Sequence, residues 1–237
     1  MNNRAHIPSF IALLFIIDAA LAVMFILNYW LGQPFEKANI FLDLDGEANL
    51  PTWFSSMQWL LCSCAWGLFA FRRFNPQKPS TWTLLTWPSI FLLFSLDEVA
   101  QLHEWLGWKI GQIFFDGSRV HSFFWLTNMW MILLGIPFTI VIITLVRVSW
   151  RYFTERPGIP VKVCAGLFLF IVSAMGFEAL SNIVAHAGNL PIFEVVFEES
   201  GEMASQTILL WAAYTLARAD WRLVSCDMSV SVPPTTC

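Results

Sequence analysis

Six apolar runs, each about 20 residues or longer and bounded by charged, Pro or Gly positions, dominate this chain, and a bilayer core about 30 Å thick is the medium such runs fit. They cover Ile7–Leu31, Pro51–Phe71, Thr81–Leu106, Ser122–Val148, Ile159–Ala187 and Leu190–Ala217. Pro8, Pro51, Pro160 and Pro191 each fall in the first turn of a run, where a missing amide hydrogen costs nothing. The expected fold is an all-α, polytopic transmembrane helical bundle of about six spans. Residues 1–222 read as one membrane domain and residues 223–237, rich in Ser, Thr, Val and Pro, as a disordered cytoplasmic tail.

Composition closes off the other classes. The 237 residues are 57% hydrophobic and 13% charged, against roughly 25% charged in soluble domains. A net charge of −4 with no basic run excludes a nucleic-acid partner. The five cysteines form no CxxC pair, so neither a zinc ribbon nor a disulfide framework is implied.

Orientation follows from the basic residues. If the amino terminus is inside, the outer loops hold only Lys37, Lys109 and Arg119, and the other Lys and Arg residues fall on inner segments. Both termini are then cytoplasmic.

Carboxylates inside spans cost about 2.5–3.5 kcal/mol each at the bilayer centre, so a cluster of them demands an explanation. The third run carries Asp97, Glu98, His103 and Glu104, the fifth Glu178, Asn182 and His186, and the sixth Glu194, Glu198, Glu199, Glu202 and Gln206. At about 100° per residue, Asp97, Gln101 and Glu104 share one stripe of a continuous helix, with His103 and Glu98 on its flanks. Glu178, Asn182 and His186 form a second stripe, and Glu198, Glu199, Glu202 and Gln206 a third. Ser55, Gln58 and Cys62 offer a weaker fourth.

All of these groups fall in the outer half of the membrane, where Lys109 and Arg119 are the only nearby cations. Either several acids carry protons or a metal ion supplies the missing positive charge. Carboxylates and imidazoles on facing helices suit a di-iron or di-manganese site, although the usual Glu-x-x-His spacing is absent. A single zinc with an open water position is the alternative. Glu104, Glu178, His186, Glu198 and Glu202 are the candidate ligands. His103 is a ligand or a base, and Asp97 and Glu199 serve proton transfer or support the ligands.

Plainer readings attach to several of these positions. Asp97 and Glu104 could be a hydrogen-bonded pair that fixes helix packing. Glu194 reads as a solvated acid at a helix start, and His121 as an interfacial residue. Asp18 is expected to hydrogen-bond a neighbouring helix or to shuttle a proton. Asp43, Asp45 and Glu47 begin like a calcium loop, but Phe54 stands where the twelfth-position Glu belongs, so the segment reads as a solvated acidic loop. Trp87, Trp105, Trp108, Trp125 and Trp130 are expected to anchor at the membrane interface.

The segments Ser95-Leu96-Asp97-Glu98-Val99-Ala100-Gln101-Leu102-His103-Glu104 and Glu198-Glu199-Ser200-Gly201-Glu202-Met203 resemble those of a group of uncharacterised bacterial multi-span membrane proteins. That resemblance implies a bacterial inner membrane and supplies positions without a reaction. The functional expectation is a metal-dependent enzyme, oxidoreductase or hydrolase, acting on a lipophilic small molecule that enters from the surrounding membrane lipids. Iron or manganese is favoured over zinc. A cation or proton translocator and an accessory subunit of a larger complex are the alternatives, and the oligomeric state is left open.

Overall fold

A computed structural model describes residues 7–115, 130–180 and 191–230, and all regular structure among them is helical. The helices are α1 (Ser9–Trp30), α2 (Glu36–Phe41), α3 (Leu50–Arg73), α4 (Pro79–Ala100), α5 (Leu102–Phe115), α6 (Ile136–Thr154), α7 (Ile159–Ile171) and α8 (Pro191–Val230). Wider π turns precede α6 at Met131–Gly135 and follow α7 at Val172–Phe177. Among the described residues, five segments are long and apolar enough to cross a bilayer: Ser9–Trp30, Leu50–Arg73, Pro79–Ala100, Met131–Thr154 and Ile159–Leu180. The architecture is compatible with an integral membrane protein.

The helix starts follow from local chemistry. Asn49 caps α3 by accepting the Thr52 amide at 3.1 Å, and Pro51 fills the first turn. The π turn before α6 has a cause in Pro137, which lacks an N–H and whose ring would strike the Leu133 carbonyl in a regular helix. The turn widens instead, and the Ile136 amide reaches back to Met131.

Two expectations change. The third apolar run is not one helix: α4 stops at Ala100, Gln101 adopts a left-handed conformation (φ 51°), and α5 begins at Leu102. The Gln101 amide still bonds the Asp97 carbonyl at 2.7 Å, which closes α4 in the manner of a left-handed cap. The fifth run changes phase at its π turn. Helix α8 runs to Val230, with no Pro or Gly after Gly201 until Pro233.

The core is built on α8, which packs against α1, α3, α7 and the π turn after α7, while α3 packs along α4. A helix surrounded by others needs no lipid-facing apolar surface, and α8 buries Ser205, Gln206 and Thr207. Aromatic rings fill the space between α3, α4 and α6: Trp66 stacks on Trp87 at 5.2 Å, and Trp59 on Phe91 at 5.5 Å. Trp87 is therefore a core residue and not an interfacial anchor; its indole donates to Ser149 Oγ at 2.9 Å.

A buried polar network links α1, α3 and α8. Gln58 donates to Asp18 Oδ1 and to Thr207 Oγ1, both at 2.9 Å, and Thr207 donates to Asp18 Oδ2 at 3.1 Å. The Gln206 amide nitrogen donates to Gln58 Oε1 at 2.8 Å, and its oxygen accepts from Trp59 Nε1 at 2.9 Å and Ser55 Oγ at 2.7 Å. Asp18 thus makes the interhelical hydrogen bonds expected of it. The stripe of Ser55, Gln58 and Cys62 serves the same joint, with Cys62 Sγ donating to the Gln206 carbonyl at 3.3 Å.

Candidate functional site

One end of the bundle encloses a cavity of about 870 Å³. Asp97 and Glu98 of α4 line it, as do His103 and Glu104 of α5 and Glu178 just beyond the π turn of α7. From α8 come Glu194, Glu198, Glu199 and Glu202. Asp45 and Glu47 join them from the loop between α2 and α3. The same cavity is also lined by apolar side chains, among them Phe94, Leu133, Phe138, Leu167, Phe170 and Met175. No Lys or Arg is among the described residues that line it.

The break at Gln101 creates the most ordered part of the site. Asp97 Oδ1 accepts the His103 backbone amide at 2.9 Å, and Asp97 Oδ2 lies 2.7 Å from His103 Nδ1. One carboxylate therefore caps α5 and orients an imidazole, which directs the Nε2 atom to other partners. The imidazole edge meets the Trp130 ring at 4.8 Å, and Trp130 Nε1 donates to Glu178 Oε1 at 2.7 Å. Burial works against a charge on His103, but the Asp97 hydrogen bond and charge, with Glu104 and Glu178, outweigh it and raise the pKa above the usual value.

The acidic loop is held against the cavity by its own hydrogen bonds, with Asp45 and Glu47 lining it while still partly open to solvent. Asn49 Nδ2 donates to the carbonyls of Asp43 and Gly46, each at 2.6 Å, and the Asp45 amide bonds Asp43 Oδ1 at 3.2 Å. Burial raises the pKa of Asp45, helped by Asp43, Glu194 and Glu104. Burial also raises that of Glu47, against an opposing hydrogen bond from Gln101.

Of the candidate residues, Asp97, His103, Glu104, Glu178, Glu198, Glu199 and Glu202 share this cavity. His186 and Asn182 lie outside the described residues, as do His121 and Trp125. Glu194, read as a solvated acid, lines the cavity and is hydrogen-bonded to Glu198. The stripe of Asp97, Gln101 and Glu104 does not exist as one helical face, because the left-handed residue separates α4 from α5; the same break brings His103 from the flank onto Asp97. Among the described residues, no three His, Cys, Asp or Glu side chains close into a ready-made metal-ligand set. The sequence reading also missed Asp45, Glu47 and Trp130 as site residues. Asn49, the capping residue three positions before Thr52, was the available signal for an ordered loop; nothing in the sequence marked Trp130 as the donor to Glu178.

Residues 13–217 match a family described as a domain of unknown function (DUF8692). The chain belongs to this family. No curated protein and no solved structure matches the chain. Membership agrees with the expected placement in a group that has no assigned reaction.

Proposed function

We propose that this protein is a metal-dependent membrane enzyme that acts on a lipophilic substrate, with its site in the outer half of a bacterial inner membrane. The observation that carries the reading is the mixed lining of one cavity, in which carboxylates and an imidazole share the wall with aromatic and aliphatic side chains. So many carboxylates around one cavity, with no Lys or Arg among its described lining residues, favour protonation or a bound cation. A divalent ion neutralises them most economically where carboxylates from several elements face one space.

Glu104, Glu178, Glu198 and Glu202, with His186, are the proposed ligands. Glu104, Glu178, Glu198 and Glu202 line the cavity from three separate elements and would hold the ion there, as carboxylate-rich bundles hold iron or manganese. His103, oriented by Asp97, serves as ligand or base, and Glu199 accepts or returns a proton beside the ligands. The bound ion would supply Lewis-acid or redox chemistry. Leu93 of α4 and Leu133 and Val141 of the α6 segment line the cavity and are themselves exposed. This favours a lateral opening between α4 and α6, suited to a substrate that arrives from the bilayer. The accompanying topology is six spans, α8 being the sixth, with both termini cytoplasmic.

Elemental analysis of detergent-purified protein tests the proposal, with Glu198→Gln and Glu202→Gln beside the parent. Near-stoichiometric iron, manganese or zinc in the parent, lost in both variants, is expected. Parent protein without a transition metal, combined with proteoliposome ion uptake that both substitutions abolish, would replace the enzyme by a translocator.

A further inference from the structure

Helix α5 is not among the candidate spans. It starts where α4 ends and then crosses to the α6 segment: a Cβ placed on Gly107 would sit 2.8 Å from Trp130 Cβ and 3.0 Å from the Trp130 backbone nitrogen. The helix backbone therefore lies directly against the first described residue of that segment. Since α4 and α6 flank the exposed cavity residues Leu93, Leu133 and Val141, α5 bridges the end of the gap between them.

Its two faces differ in kind. His103 and Gly107 point inward, toward Asp97 and Trp130. Trp105, Trp108 and Ile113 point outward and are exposed, Trp105 at 58% and Ile113 at 76%, and Leu102 is exposed where the helix begins. Lys109 lies on the same outward arc, its ammonium 4.7 Å from the Trp108 ring centroid. Tryptophan with a lysine on one helical arc is the composition of a helix seated between headgroups and acyl chains, where the indoles take the boundary and the ammonium meets phosphate. The arc also continues a lipid-facing surface, because Leu92, Leu96 and Val99 are exposed on α4 immediately before the break.

We infer that α5 lies in the plane of the membrane–water interface with phospholipid as its partner, seated through Trp105, Trp108, Lys109 and Ile113, and that this seat holds His103 in the cavity wall. The inference does not depend on any metal or reaction. It makes the lipid leaflet part of the support of the site.

Nitroxide depth measurements in mixed phosphatidylcholine and phosphatidylglycerol vesicles decide the matter. The background replaces Cys64, Cys164, Cys226 and Cys237 by Ser and keeps the buried Cys62. Trp105→Cys and Gln112→Cys lie on one face, seven residues apart, so a helix along the membrane normal separates their labels by roughly 10 Å at 1.5 Å per residue. A second pair, Leu102→Cys and Ile113→Cys, is separated by roughly 16 Å on the same basis and carries the comparison if Trp105→Cys fails to fold. Equal, shallow depths within each pair, with relaxation by oxygen stronger than by a water-soluble nickel complex, are expected. Depth differences near the full axial separations would overturn the inference. So would labels relaxed only by the aqueous reagent, or labels shielded from both reagents, which would place a protein partner on this face.

Discussion

Replacing Gln58 by Leu tests the joint that holds α1, α3 and α8 together. Gln58 is fully buried and takes part in three hydrogen bonds: to Asp18 and Thr207 at 2.9 Å and from Gln206 at 2.8 Å. Leucine has nearly the same reach but offers none of these, so three polar groups lose a partner where water does not replace it. At the membrane-protein average near 0.6 kcal/mol per interhelical bond the loss is about 2 kcal/mol. At the ~1 kcal/mol typical of soluble proteins it is about 3 kcal/mol. For a chain of this size that corresponds to a fall in Tm of roughly 4–12 °C. Thermal unfolding in detergent reads the change, with Ser89→Ala as control. The Ser89 hydroxyl is exposed and bonds only the Leu85 carbonyl of its own helix at 3.0 Å, so its removal is expected to cost under ~0.5 kcal/mol. Equal midpoints for the two variants would refute the idea that the network carries interhelical stability.

Two further outcomes are expected alongside the metal analysis. Gly107→Ala inserts a methyl group against the Trp130 backbone and should separate α5 from the α6 segment at a cost of about 1–3 kcal/mol; an unchanged unfolding midpoint counts against the contact. The pKa of His103 is raised on folding, so its contribution to stability is complete below the usual histidine value of about 6.5 and is lost as pH rises through the folded value. Chelator-treated protein should therefore lose stability above pH ~6.5, and Asp97→Asn should flatten that slope; parallel profiles for parent and variant would show that the pair does not titrate as described.

The sequence carried the spans well because apolar length is a one-dimensional quantity, and Leu50–Arg73 or Pro79–Ala100 needs little else to be seen. It carried the acids as well, since Glu178 and Glu202 are conspicuous in runs of Leu, Ile and Phe. What it did not carry was phase. A single left-handed residue at Gln101 and two π turns change which side chains share a face, and neither is written in a periodicity that assumes a uniform helix. Asp45 and Glu47 were missed for a related reason: their loop is ordered by bonds from the Asn49 side chain to backbone carbonyls, which depend on the shape of the turn and not on spacing. Trp87 was misread because a tryptophan near a run end is equally suited to an interface and to a stacked interior.

Both oxygens of Asp97 are already committed, one to the amide and one to the ring of His103. The carboxylate works as a hinge pin. A cation drawn to the same oxygens would share their remaining lone pairs with the amide and the ring, so the amino end of the neighbouring helix and any charge in the chamber draw on one carboxylate.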